Sequence, residues 1–271
     1  MASSLVEAGG AAIEVERIGN RGQTRISAAM PLKCESDPDF RSPIVMLHEG
    51  LGSVSMWRDF PHRVAHATGR DVVVYSRAGY GRSSPATLPR GVRYMHDEAL
   101  VALPQLLDAL GIVRPILLGH SDGASIALIH AGRSGRPVAG LALMAPHVLV
   151  EDLSVASIEA AKVAWRTTAL RARLARHHDA VAAAFTGWND IWLHPDFRAW
   201  NIEAEVRGLG CPVLAIQGED DEYGTMDQVE RIARLAPDVE LVRLADCRHS
   251  PHRDQPEAVL EALVRFCDRL P

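Results

Sequence analysis

The sequence predicts an α/β fold: a mostly parallel central sheet of about eight strands, with helices on both faces and an inserted helical cap. Three observations predict it. Short apolar runs bounded by Gly, Pro or Asp alternate with amphipathic stretches of helical period, which is the βαβ pattern of a parallel sheet. Most of those runs are apolar nearly throughout, as strands covered on both faces must be. One long segment, 151–205, carries helical periodicity and no strand pattern. The 271 residues, 47% hydrophobic and 23% charged, suit one large α/β unit or two small domains and exclude disordered, collagen-like and coiled-coil classes.

In chain order, 12–16 and 25–29 predict an antiparallel hairpin at one sheet edge. Buried strands follow at 43–48, 71–75, 115–119, 141–144, 212–216 and 239–244, and helices at 57–68, 95–110, 121–133, 226–235 and 256–269. Residues 1–150 and 206–271 form the core domain, and 151–205 is inserted between them as the cap. Four of the five tryptophans (Trp165, Trp188, Trp192, Trp200) and two of the five phenylalanines (Phe185, Phe197) lie in the cap. They form either a cap core packed on itself or an aromatic roof over an apolar pocket. The roof reading expects at least two of the four tryptophans to line a pocket, with Trp165, Trp188 and Trp192 as candidates.

Charge and cysteine usage exclude several classes. The formal net charge is −5, with no basic stripe interleaved with aromatics, so nucleic acid is not an expected partner. The start lacks a signal peptide's charged and apolar regions, and no apolar run reaches the ~18 residues that span a bilayer, so a cytoplasmic protein without a membrane partner is expected. Cys34, Cys211, Cys247 and Cys267 show no CxxC spacing, and neither His177-His178 nor His249-x-x-His252 has helical ligand spacing with a supporting carboxylate. No metal and no cofactor is expected. A homo-oligomer is left open.

The chemistry begins at Gly119-His120-Ser121-Asp122-Gly123, where G-x-S-x-G sits between a strand and a helix. Such a turn holds a serine in a strained conformation, and its glycines let neighbouring backbone approach. Serine needs a base, and the base needs an acid to fix its tautomer. Loops leaving the last two strands supply both types: 217–223 carries Asp220 and Asp221, and 246–252 carries His249 and His252. The order Ser…Asp…His puts all three at one sheet edge.

On these residues the chain resembles the α/β-hydrolase superfamily, from the strand at 43 to the last helix, and is most similar to the cofactor-free esterase, enol-lactonase and C–C hydrolase branch. The resemblance implies Asp221 as the acid, with Asp220 as rival, and His249 as the base, with His252 as a rival or a surface loop histidine. It implies backbone N–H groups of Asp122 and of the loop after the first buried strand as the oxyanion hole. There His48-Glu49-Gly50-Leu51-Gly52 resembles the family's His-Gly-x-x-Gly turn, with Glu49 in a glycine position. Leu51 N–H is the second donor, and Gly50 its competitor. Ser76 replaces an aspartate in the loop containing Gly79 and Gly81, which read as turn residues, and Arg248 stands where the family has glycine.

Glu49, Gly50 and His120 join the tryptophans as pocket candidates. Glu49, Asp122, Asp220 and Glu222 read as a solvated rim, or as a field that disfavours anionic substrates. Arg166, Arg171, Arg173 and Arg176 with His177 and His178 read as a solvated cap face rather than a phosphate clamp. The expected function is a serine hydrolase that cleaves a small carboxylic ester, thioester or lactone, with a small, uncharged, partly apolar substrate as its partner. Alternatives are a C–C bond hydrolase or cofactor-free perhydrolase with the same three residues, and, in another class, a non-catalytic small-ligand receptor.

Overall fold

A computed structural model of the chain describes residues 3–19 and 41–271. Its strands are β1 (Ser4–Ala8), β2 (Ala11–Ile18), β3 (Ile44–Leu47), β4 (Val72–Tyr75), β5 (Ile116–His120), β6 (Gly140–Met144), β7 (Val213–Gly218) and β8 (Val239–Leu244). They form one eight-stranded sheet in the order β1-β2-β4-β3-β5-β6-β7-β8. Pairing is parallel from β4 to β8, and β2 runs antiparallel to both β1 and β4. Every residue of β3 to β7 is buried, which explains why those runs carry almost no polar residue. The edge strand β8 is only half-buried and accordingly carries Glu240 and Arg243 among its apolar residues.

At the other edge, residues 12–16 lie in β2, where 12–15 pair with β1; the expected partner segment, 25–29, lies outside the described residues, as does Cys34. Gly9 and Gly10 take φ of 58° and 81° and so turn β1 into β2 at no steric cost. Register brings the strand ends level: Leu47 faces Gly119, His120 faces Met144, and Met144 faces Ile216. The loops after β3, β5, β6, β7 and β8 therefore leave along one edge.

Helices cover both faces. α1 (Phe60–Thr68), α2 (Tyr94–Asp97), α3 (Leu103–Leu110) and α4 (Asp122–Arg133) precede β6. The expected helix at 57–68 is split, because Arg58 turns to φ 56° after a 3₁₀ turn over Val54–Trp57. The expected helix at 95–110 is helical throughout, with a π turn over Glu98–Ala102 between α2 and α3 just before Pro104, which offers no N–H to an α-helical ladder.

Between β6 and β7 lie α5 (Asp152–Thr167), α6 (Leu170–Leu174), α7 (Val181–Trp192), a 3₁₀ turn (Pro195–Ala199) and α8 (Glu203–Arg207). α8 presses on α4 so closely that a Cβ on Gly132 would lie 2.0 Å from Glu205 O. α9 (Asp227–Leu235), α10 (Pro251–Asp254) and α11 (Pro256–Cys267) complete the chain, with α1 and α11 on the sheet face opposite α3 and α4. Among the described residues no helix is long and apolar enough to cross a membrane.

Candidate active site

Ser121 stands where β5 passes into α4, with φ 53° and ψ −119°. A left-handed serine costs about 1–2 kcal/mol and persists only because its surroundings fix it. A Cβ on Gly119 would lie 2.5 Å from the Ala124 backbone, and one on Gly123 would lie 2.1 Å from Leu47 O. The elbow requires both glycines. Ser121 N–H donates to Met144 O (2.9 Å), and the residue is 7% exposed.

His249 Nε2 lies 2.9 Å from Ser121 Oγ, and its Nδ1 lies 2.8 and 2.9 Å from the two oxygens of Asp221. Asp221 also accepts from the N–H groups of Tyr223 (2.8 Å) and Gly224 (3.3 Å) and from Gln217 Nε2 (2.8 Å). Burial alone would push this carboxyl up, but the hydrogen bond and positive charge of His249, with the Tyr223 N–H, hold it below its ordinary value. The neighbouring Asp220 is exposed and its N–H caps Cys247 O (3.0 Å). Arg248 needs no glycine-like conformation, because Asp246 takes the positive φ of that turn (52°).

The second loop is a tight turn in which Gly52 N–H donates to Glu49 O (3.0 Å). That carbonyl also accepts from Arg77 Nη2 (2.9 Å) and His48 Nδ1 (2.7 Å). His48 Nε2 accepts from Arg77 N–H (3.0 Å), and burial with the Arg77 charge holds this ring well below the usual histidine range, so it stays neutral. Gly50 and Leu51 occupy the corners, and among the described residues neither N–H has a backbone partner. Nor does Asp122 N–H, at the first turn of α4. Unpaired N–H groups of this kind can receive a negatively charged oxygen.

Side chains near this frame sit differently from several expectations. Asp122 is not on a solvated rim. Its carboxylate is 1% exposed and accepts from Tyr94 Oη (2.8 Å) and Trp192 Nε1 (3.2 Å), with Arg77 Nη1 at 3.7 Å. His252 is not a surface histidine: it lies between Trp57 and Phe60, ring centroids 4.9 and 5.4 Å away. Glu49 meets His120 Nδ1 (3.5 Å) and Arg253 Nη2 (3.6 Å), while His120 Nε2 donates to His249 O (2.7 Å).

Among the tryptophans, Trp188 Nε1 fills the space where a Gly50 Cβ would lie, 2.1 Å from it. Trp192 and Trp200 pack with Phe197 in the buried core. Trp165 stacks on Phe185 (4.2 Å), with Arg171 over its ring, so its ring contacts stay within the cap.

Four contributors were not read from the sequence. Gln217 binds Asp221, and a polar residue ending the apolar strand β7 was its signal. Glu14 supplies the carboxylate that Ser76 lacks, accepting from Ser76 Oγ (2.8 Å) and Arg82 N–H (3.0 Å). His178, placed by the sequence on a solvated cap face, is instead 4% exposed. It accepts from Gly81 N–H (3.0 Å) and so donates from Nε2 to Leu51 O (2.9 Å), tying this segment to the loop after β3. His147 packs against His249 (5.8 Å) and Trp192 (5.1 Å).

Comparison with known proteins identifies the family and the fold. The Alpha/beta hydrolase family matches residues 44–262. A protein assigned as the carbamate hydrolase RutD in Pseudomonas savastanoi pv. phaseolicola is 28% identical over 250 residues, covering 83% of this chain and 93% of its own. Among solved structures, the enol-lactonase from Burkholderia xenovorans LB400 superposes with a TM-score of 0.70 at 20% identity, covering 98% of this chain and 100% of its own. Proline iminopeptidase from Mycobacterium smegmatis gives a TM-score of 0.73 at 20% identity, with 98% of each chain covered.

Proposed function

The chain belongs to the alpha/beta hydrolase family, and on that premise we propose that it is a serine hydrolase which cleaves a small carboxylic ester, thioester or lactone through an acyl-enzyme. One observation carries this reading: the unbroken line of contacts from Ser121 Oγ through the His249 ring to the Asp221 carboxylate. His249 Nε2 takes the Ser121 proton as Oγ adds to the carbonyl, and Asp221 stabilises the imidazolium that forms. Negative charge collects on the former carbonyl oxygen, where the N–H groups of Asp122 and of Leu51 or Gly50 receive it. As the tetrahedral centre collapses, His249 returns the proton to the leaving oxygen or sulfur. A water then adds to the acyl-enzyme as His249 takes its proton, and on collapse His249 passes that proton to Ser121 Oγ, freeing the acid.

The same steps apply to carbamates, which the similarity to the named carbamate hydrolase brings into the test. The experiment is a panel of small esters, thioesters, lactones and carbamates, run on wild type beside Ser121→Ala, with fluorophosphonate labelling of the intact protein. Wild type is expected to turn over part of the panel and to be labelled at Ser121. Ser121→Ala is expected to lose about 10³-fold or more in kcat while remaining folded. An unlabelled, inactive wild type favours a ligand receptor on the same fold; near wild-type activity in Ser121→Ala overturns the nucleophile.

A further inference from the structure

The turn after β6 has no task in the steps above, yet it is strained. Ala145 takes φ 49°, which costs a non-glycine residue about 1–2 kcal/mol, and Pro146 fixes the next φ. The pair delivers His147 to the sheet edge beside the base. Ser125 Oγ on α4 donates to His147 O (2.7 Å) and stands 3.2 Å from its N–H. The residue is 2% exposed. Its ring lies edge-on to Trp192 of the cap and 5.8 Å from the His249 ring, so it forms the wall between base and cap.

The protonation of that ring follows from its surroundings. Burial, helped by the charge on His249, pushes His147 down to about 4, while Asp221 and Asp122 oppose only in part and the charge of His120 adds to the lowering. The ring is therefore neutral at working pH and carries one N–H. Nδ1 abuts Gly224, where a Cβ would lie 3.5 Å away, and is sealed with no partner; Nε2 is not sealed. A sealed N–H without an acceptor is the costlier orphan, which assigns the proton to Nε2.

We propose that His147 is a substrate-binding residue, donating Nε2–H to an oxygen of the substrate, and that the enzyme prefers esters or lactones carrying a second oxygen acceptor near the scissile carbonyl. This rests on the acyl-transfer reading of Ser121. His249 links the two: its ring borders His147 while its Nε2 lies 2.9 Å from Ser121 Oγ. A donor in a water-poor site rejects an analogue that lacks the matching acceptor, because its N–H is then left unpaired.

The test compares matched p-nitrophenyl esters: butanoate, methoxyacetate and 4-oxopentanoate. His147→Phe keeps the ring packing and removes both nitrogens; His147→Asn keeps a side-chain N–H. His147→Phe is expected to lose about 10-fold more in kcat/KM on the two oxygen-bearing esters than on butanoate, with His147→Asn recovering part of that difference. Equal losses on all three esters, or none, overturn the proposal. A second readout does not need turnover: 15N NMR of the wild-type ring is expected to show a neutral Nε2–H tautomer from about pH 5 to about 8. The Nδ1–H tautomer or a charged ring overturns it. Wild type inactive on all three esters, with no labelling of Ser121, counts against the hydrolase reading, and the NMR result then decides the His147 donor by itself.

Discussion

At the scale of single residues, Asp220 and Asp221 are adjacent and chemically identical, yet their roles diverge because only one faces His249. Asp221 accepts from the His249 ring, two backbone N–H groups and the Gln217 amide. Asp221→Asn presents an amide to a ring N–H that needs an acceptor, so kcat is expected to fall by about 10³- to 10⁴-fold, while exposed Asp220→Asn stays within about 2-fold. Steady-state kinetics on the pair decides, and a crippled Asp220→Asn moves the acid by one residue. Glu49 makes a second carboxylate–histidine contact. Burial alone would raise this carboxyl, but the adjacent His120 ring and the charge of Arg253 hold it well below its ordinary value. Its contact steadies the ring whose Nε2 fixes the His249 carbonyl. Glu49→Gln is expected to lower kcat by about 10- to 100-fold with little change in KM. A KM effect alone would place Glu49 against substrate instead.

At the scale of elements, the elbow is a junction of β3, β5 and α4 rather than a motif. Gly123 lets the first turn of α4 approach the end of β3, and a methyl there meets the Leu47 carbonyl at 2.1 Å with no side chain to move aside. Gly123→Ala is expected to cost about 3 kcal/mol, read as a drop of several degrees in Tm. Gly91, around which a Cβ meets nothing within 4 Å, gives the contrast. Gly91→Ala is expected to stay within about 0.5 kcal/mol. Equal effects at the two positions would show that the α4–β3 approach does not limit the site. The π turn between α2 and α3 is the complementary lesson, since helical periodicity runs through Pro104 and the backbone stays helical past it with the π turn just upstream.

At the scale of the whole molecule, buried neutral histidines set the acid limit. His48, His147 and His252 are all held below the ordinary value, in each case first by burial. Protonation therefore favours the unfolded chain. The stability they contribute is complete above the unfolded value near 6.5 and is lost as pH falls below it, by up to about 1.4 kcal/mol per pH unit for each ring. Glu16 and Glu98, which burial raises, work in the opposite sense. Tm is thus expected to fall between about pH 6.5 and about pH 4.5. Both His252 nitrogens are sealed without partners among Trp57, Phe60 and His120. His252→Phe is expected to raise Tm, and more so at the acid end. A variant with an unchanged slope of Tm against pH would remove His252 from this account.

Much of the fold lay in local pattern. The apolar runs of β3 to β7 and the Gly119-x-Ser121-x-Gly123 turn are properties of neighbours in the chain, whereas Asp221 over Asp220 and His249 over His252 are implied by the family resemblance. Periodicity and spacing report the runs and the turn directly, because burial on both faces and backbone strain act on successive residues. What the tertiary structure alone decided is where loop side chains point. That Asp122 turns inward to Tyr94 and Trp192, that Glu14 replaces the carboxylate missing at Ser76, that His178 reaches Leu51 from the cap, and that His147 lies beside His249 depend on contacts between segments far apart in sequence. No period or spacing encodes such a contact, because a loop side chain takes its direction from whatever packs against it.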